Sequence, residues 1–373
     1  MVKKNKVALV HDYIKDAGGA ERVLLQLTKL FPEAPIYTSF CVKGSAAHSM
    51  FKESKIIESF YAPILKIWRL YSPLRFMLPV IWGSMDLSEY DLVITSSSNY
   101  IARGFKVSPN TKVVVYCHTP PRFLYGLKTG MDWRKNIVIR IYGHLIAHFL
   151  RIFDYKSASK IDHWIANSEN VKGRIYKHYK KESNVIYPPC NTENIISVSR
   201  KYKKKDYFFI ASRLVGSKGI KEAIIAANKL KARLVIAGAA DGFTLVEKDL
   251  RGMAGPTVEF VGRVSDDRLW RLYSEAVGFI ALAKDEDFGM SVVESQAAGT
   301  PVLAYKGGGF LESVVEGKTG LFIKSVDVED IAKAMEKLRS KKWDKKLIQK
   351  NSLRFSNLEF NKNIKSYLKK VIV

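Results

Sequence analysis

Cysteine is scarce in this sequence. The three that occur, Cys41, Cys117 and Cys190, are far apart and odd in number, and no CxxC pair is present. Neither a disulfide framework nor a cysteine zinc site is therefore expected, and the usage fits a reducing cytosol. Long apolar runs are missing as well. No stretch of about 18 uncharged apolar residues occurs, which argues against a membrane-spanning helix. The opening "MVKKNKVALVHDY" is basic and then reads as a short strand. It lacks the apolar core and small-residue cleavage site of a secretory leader. Negative charge is the third shortage. Against 61 Lys and Arg stand 36 Asp and Glu, a formal net charge of +25. A field of that sign draws polyanions: nucleic acid, an anionic membrane face or phosphate-bearing ligands. Charge alone does not choose among them.

What is present is a globular composition, 47% hydrophobic over 373 residues. At roughly 100–200 residues per domain, two domains are expected. Strand-like apolar runs at 7–13, 91–96, 112–118 and 163–167 alternate with helical spacing, as at 20–31, where Ala20, Val23, Leu27 and Leu30 share one face. The two prolines of "NVIYPPCNT", residues 184–192, break this rhythm. It restarts after the basic run "RKYKKKDY", read as a solvated loop over its lysines 201–205. Strands are then expected at 208–211, 234–237, 258–261, 278–283 and 301–305. Alternating strands and helices mean parallel sheets wrapped by helices, so two α/β domains joined near residue 188 are predicted.

Two segments combine apolar and basic residues. Residues 60–82, "FYAPILKIWRLYSPLRFMLPVIW", carry Lys66, Arg69 and Arg75; residues 136–153, "NIVIRIYGHLIAHFLRIF", carry Arg140, His144, His148 and Arg151. Such segments lie either in a core with a few solvated charges or in a membrane interface, and the first is the better interfacial candidate.

Ligands of parallel sheets sit beyond the carboxyl ends of the strands, so unusual residues just after strands are the candidates. In "HDYIKDAGGAERVL", Gly18 and Gly19 open a helix; a helix N-terminus favours an anion, although the pair alone is also an ordinary loop feature. In "VVVYCHTPPRFLY", His118 ends a strand, where its ring either donates to a substrate hydroxyl or satisfies backbone groups. In "FFIASRLVGSKGIKEAI", a strand delivers Arg213, and Lys218 with Gly219 opens the next helix. A planar fork and a mobile point charge beside a Gly- and Ser-rich turn make a seat for a diphosphate.

The stretch "EDFGMSVVE" sets Glu286 in a loop after a strand and Glu294 about one turn into a helix beginning near Ser291. Paired carboxylates serve glycosidases, and they also accept hydrogen bonds from sugar diols. "DED" at 285–287 has an Asp-x-Asp spacing that holds a metal elsewhere, but Arg213 and Lys218 can neutralise a diphosphate unaided, so no metal is expected. In "YKGGGFLESV", three glycines open another helix, with N–H groups able to ring a phosphate or sugar. A ligand rich in hydroxyls and phosphates, such as a nucleotide sugar, would use all of these groups.

Taken together, Gly18-Gly19, Arg213-x4-Lys218-Gly219, Glu286-x7-Glu294 with its internal "FG", "QAAGTPV" and the turn at 307–309 resemble the family 4 glycosyltransferases, over nearly the whole chain. "CHTPPRFLYG", "IANSENVKGRI" and "VIYPPCNT" are similar to the bacterial mannosyltransferase branch that builds O-antigen and other surface polysaccharides. The resemblance implies the GT-B architecture, two Rossmann-like domains facing across a cleft. The acceptor domain would be 1–187 plus about 358–373, reached by a final helix at 358–372 that crosses back, and the nucleotide-sugar domain 188–357.

The resemblance further implies transfer with retention, most simply of mannose from GDP-mannose, to a lipid-linked saccharide at the cytoplasmic face of the plasma membrane. Arg213 and Lys218 would bind the diphosphate, Glu286 the sugar hydroxyls and Glu294 the ribose diol. Gly19 would approach the diphosphate with Gly18 beside it, His118 would touch the sugar, and Arg263 in "FVGRVSD" would sit by the base. Phe288, Gly289, Met290 and Ser291, with Gly308, Gly309, Phe310 and Leu311, would line the sugar and phosphates. Asp287 departs from the glycine often found there, which leaves a UDP-sugar as the alternative donor. A glycan phosphorylase would need a lysine-bound cofactor motif, and none is evident. A basic nucleic-acid binder would need aromatics interleaved on an exposed platform and would leave the glutamate pair unexplained.

Overall fold

The computed structural model describes residues 5–67, 70–127, 137–240 and 244–372. Arg69 and Asn136, part of the two basic apolar segments, lie outside the described residues. The chain divides into two compact units. One comprises the described residues up to 127, then 137–189 and 360–372; the other runs over 190–359.

The first unit is built on seven strands: β1 (Val7–His11), β2 (Ile36–Thr38), β3 (Ile56–Glu58), β4 (Leu92–Ser97), β5 (Lys112–Cys117), β6 (His163–Ala166) and β7 (Asn184–Val185). All pair in parallel, in the order β3-β2-β1-β4-β5-β6-β7. Helices cover both faces, so the inner strands read as continuous apolar runs rather than alternating ones. Leu9 pairs with Ile94 and Ile94 with Val114, and all three belong to one buried cluster. The helix Gly19–Leu30 adds Val23, Leu24 and Leu27 to that cluster and ends where Pro32 follows Phe31. The same cluster receives Phe360, Ile364, Leu368 and Val371, one stripe of the helix Asn357–Ile372. The opposite face of the sheet packs Val10 and Val93 against Trp82, Tyr100 and Leu150.

The second unit has six parallel strands: β8 (Lys205–Ala211), β9 (Leu234–Ala237), β10 (Val258–Gly262), β11 (Ala276–Ala281), β12 (Val302–Tyr305) and β13 (Gly320–Ile323). Their order is β10-β9-β8-β11-β12-β13. Phe279 lies opposite both Phe209 and Val302, and the three pack with Tyr273 on one face. The other face joins Ile210, Ile224, Leu303 and Ile331.

Both sheets therefore follow the order 3-2-1-4-5-6, which β7 extends in the first unit, the doubly wound arrangement whose direction of progression reverses once. That reversal lies between β1 and β4 in one unit and between β8 and β11 in the other. The lysine run 201–205 is not wholly a solvated loop. Lys205 opens β8 and pairs with Glu275 at 2.9 Å, and the Lys204 ammonium ends on the Ala276 carbonyl at 2.7 Å. The three cysteines are buried thiols.

Candidate active site

In the second unit, β8, β11 and β12 are neighbours, so the loops beyond their carboxyl ends lie side by side. After β8, Arg213 is exposed to solvent, and Val215 leads into a short turn of 3-10 helix, Gly216–Lys218. Gly219 then takes a left-handed φ of 69° to start the helix Ile220–Leu230. A Cβ at Gly219 would stand 2.5 Å from Cβ of Leu282, so this turn and the end of β11 require glycine to approach so closely. The approach brings Lys218 Nζ to 2.6 Å from Glu286 Oε2, with side chains 25% and 19% exposed. Two residues read separately from the sequence thus form one ion pair, at the reversal point of the sheet.

Beyond β11, Glu286 and Asp287 are half-buried, and Phe288 is buried with its ring 5.3 Å from that of Phe355. Gly289, at φ 92°, caps the helix Met290–Ala297 and leaves room for the buried ring of Phe310. Met290 and Ser291 form the half-buried first turn of that helix. Glu294, one turn in, is 4% exposed and accepts a hydrogen bond from the Tyr273 hydroxyl at 3.0 Å. Beyond β12, the glycine turn folds onto the Glu286 loop. The Gly309 N–H donates to the Glu286 carbonyl at 3.0 Å, and a Cβ on Gly308 or Gly309 would meet backbone atoms of residues 286–288 at 2.4 Å. These glycines answer first to loop-on-loop packing, and the Gly309 N–H is not left for a phosphate as the sequence reading has it. Leu311 is exposed, and Arg263 sits at the exposed end of β10, an edge strand two places from β8.

In the first unit, Gly18 precedes the helix Gly19–Leu30, and its N–H donates to Glu21 Oε2 at 2.9 Å. Glu21 Oε1 stands 3.6 Å from His11 Nε2. Strand register puts His11 opposite Ser96 and Cys117 opposite Ser97, so His118 follows one step beyond. Ser96 Oγ shares hydrogen bonds with His11 Nδ1 at 3.0 Å and with His118 Nε2 at 2.8 Å. A buried polar chain therefore runs from the Gly18 backbone through Glu21, His11 and Ser96 to His118. Asn167 Nδ2 donates to the His118 carbonyl at 2.9 Å, and the His118 N–H donates to Ser97 O at 3.0 Å. Beside this chain, the buried Asp12 carboxylate accepts from the N–H groups of Ser98, Tyr100 and Ala102 and shapes the loop after β4. Burial pushes the Asp12 carboxyl up, against the pull of His11 and these three donors.

Sequence reading missed Glu21, His11, Ser96 and Asp12, and it missed Tyr273. The signals were "HD" at the end of β1 and the serine run 96–98 at the end of β4. Both are polar groups at the carboxyl ends of the two strands that flank the reversal point.

Comparison with known proteins agrees with this arrangement. A family model for Glycosyltransferase Family 4 matches residues 17–194, and one for Glycosyl transferases group 1 matches residues 191–354. The chain is 25% identical over 331 residues to the alpha-1,3/1,6-mannosyltransferase ALG2 of Dictyostelium discoideum, covering 76% of each chain. It is 25% identical to the GDP-Man:Man(3)GlcNAc(2)-PP-Dol alpha-1,2-mannosyltransferase of Xenopus laevis, over 97% of this chain and 86% of the relative. Among solved structures, Anabaena Alr3699/HepE in complex with UDP-glucose superposes with a TM-score of 0.69 at 18% identity, over 98% of this chain and 99% of that one. Sucrose-phosphate synthase from Thermosynechococcus elongatus gives 0.68 at 15% identity, over 99% of each. Two family models that meet near residue 191, where one α/β unit gives way to the next, leave one conclusion: the chain belongs to the family 4 glycosyltransferases and has the GT-B fold.

Proposed function

We propose that this glycosyltransferase moves mannose from GDP-mannose to a lipid-linked saccharide, with retention at the anomeric carbon, in surface polysaccharide or O-antigen synthesis. The observation that carries the reading is the Lys218–Glu286 pair at the reversal point of the second sheet. The named activities of the ALG2 and Xenopus laevis relatives support the choice of mannose and GDP, and the latter's lipid-diphosphate acceptor supports a lipid-linked one. Without ligand, ammonium and carboxylate neutralise each other. An arriving diphosphate competes for Lys218, joins Arg213 and frees the Glu286 carboxylate to accept from sugar hydroxyls. Glu294, held by Tyr273, receives the ribose diol, and Arg263 lies at the base.

In the reaction the bond from C1 to the diphosphate oxygen breaks, and its electron pair leaves with the nucleotide. The acceptor hydroxyl attacks C1 from the same face, and its proton passes to a diphosphate oxygen. Fixed cations stabilise the charge that grows on the leaving group. His118, at the end of its buried polar chain, is assigned a part in the reaction, and the first unit is assigned the acceptor. The lipid-linked acceptor places the enzyme at the cytoplasmic face of an anionic membrane.

The test is thermal unfolding with nucleotide sugars, with and without a chelator. GDP-mannose at about 100 times its dissociation constant is expected to stabilise by about 2.7 kcal/mol. UDP-glucose is expected to leave the melting temperature where it was. The opposite ranking assigns the donor to the UDP-sugars, and a response abolished by the chelator assigns a metal.

The buried chain to His118 carries a further expectation. Ser96→Ala removes the hydroxyl that joins His11 to His118. Turnover is expected to fall about tenfold with KM for the donor changed less than threefold, consistent with loss of orientation rather than binding. Ser96→Thr, which keeps the hydroxyl, is expected to recover most of it.

A further inference from the structure

The helix Ile137–Ser159 has two apolar faces. One packs Ala147 and Leu150 into the first unit's core. The other is exposed: Ile137, Ile141, Leu145, Phe149 and Ile152 form a stripe along it, with Leu145 61% and Phe149 67% exposed. Arg140, His144 and Arg151 flank the stripe, and all three are exposed. The single acidic residue of this helix, Asp154, is buried on the inner side. Residues 73–80 continue the surface. Tyr142 donates its hydroxyl to the Pro73 carbonyl, and Phe76 and Val80 nearby are exposed too. No helix of the described residues is long and apolar enough to cross a membrane.

We infer that the outer face of Ile137–Ser159, with Phe76 and Val80, is the surface by which this chain lies on an anionic lipid bilayer. An apolar stripe edged by cations, on a helix with no exposed carboxylate, complements lipid tails beneath anionic headgroups. A second copy of the chain fits less well. Pairing the stripe with itself sets Arg140 and Arg151 against like charges and supplies no carboxylate to meet them. The sequence favours residues 60–82 for this role, where Phe60, Ile64 and Ile67 are exposed as well; the continuous stripe belongs to the long helix.

The inference rests on the transferase reading only for its purpose, which is to bring the chain to a lipid-linked acceptor. The test is co-sedimentation of the full chain with vesicles of phosphatidylcholine alone or with phosphatidylglycerol, at low and high salt, beside the double variant Leu145→Asp, Phe149→Asp. Wild type is expected to bind the anionic vesicles, at least tenfold more tightly at low salt than at high. The double variant is expected to lose at least tenfold in that binding and to keep its melting temperature and its thermal response to GDP-mannose. Three results overturn the inference: no binding by wild type, equal binding by the variant, or conversion of a dimer to a monomer by the variant on size exclusion. Vesicle binding without any response to nucleotide sugars supports the docking surface and overturns the transferase reading; the converse pair of results overturns docking alone.

Discussion

Lys218→Ala is expected to lower turnover by about 10²–10³-fold, the loss seen when one preorganised charge or donor is removed from a developing anion. The fold is expected to tolerate it. The Lys218–Glu286 pair is partly solvated, and such pairs contribute about 0–1 kcal/mol to stability. Gly219 and the Leu282 contact, which set the loop, remain in place. Lys218→Arg is not a conservative control, because the rigid planar fork replaces a compact ammonium that must leave Glu286 for the diphosphate. Steady-state kinetics with saturating donor, paired with a thermal melt, make the measurement. Wild-type turnover in Lys218→Ala would remove the ion pair from the mechanism and the proposed function with it.

Asp154→Ala carries the largest stability effect. Arg103 and Asp154 form a fully buried ion pair, and the phenols of Tyr125 and Tyr179 donate to Asp154 Oδ2 at 2.6 and 2.9 Å. The rings of Trp164 and Tyr179 lie 5.3 and 5.0 Å from the Arg103 guanidinium. Burial pushes the Asp154 carboxyl up, and the guanidinium and the two hydroxyls pull it back. Removing the carboxylate leaves a buried cation, the buried Tyr179 hydroxyl and the half-buried Tyr125 hydroxyl without their acceptor. The first unit is expected to lose about 3–5 kcal/mol, the cost of orphaning one member of such a pair. The double variant Arg103→Met, Asp154→Leu takes both charges out together and is expected to recover much of the loss. Denaturant unfolding of the three proteins checks this. A single-variant loss under about 1 kcal/mol, the value of an exposed pair, would show that water reaches the site.

Much of the second unit's site was legible because each of its parts follows a strand. Arg213, Lys218, Glu286 and the glycine turn come from loops after β8, β11 and β12, which are neighbours in the sheet. The first unit hid more. His11 and Ser96 are 85 residues apart and meet because β1 and β4 pair in parallel, and no local pattern states that register. The strands β2 and β3 are not legible, because three residues are too few to show a period, and β13 carries no signal that sets it apart from a loop. The sequence sets Glu294 one turn into its helix; its hydrogen bond from Tyr273, 21 residues earlier on another helix, is stated by no local pattern. The triple glycine was legible as a turn but not as a seat for the backbone of Glu286 to Phe288.

The stripe of Phe360, Ile364, Leu368 and Val371 also sets an order of assembly. During synthesis, every strand of the second unit is made before those four side chains. The first unit, although its sheet is translated earlier, waits with the cluster around Leu9, Ile94 and Val114 partly uncovered. Nascent domains ordinarily mature from the N-terminus onward; here the later one has all its strands before the earlier one has the last part of its cluster. A polypeptide cut short before residue 360 would keep every strand of the second unit and leave the first unit's cluster uncovered where those four side chains belong.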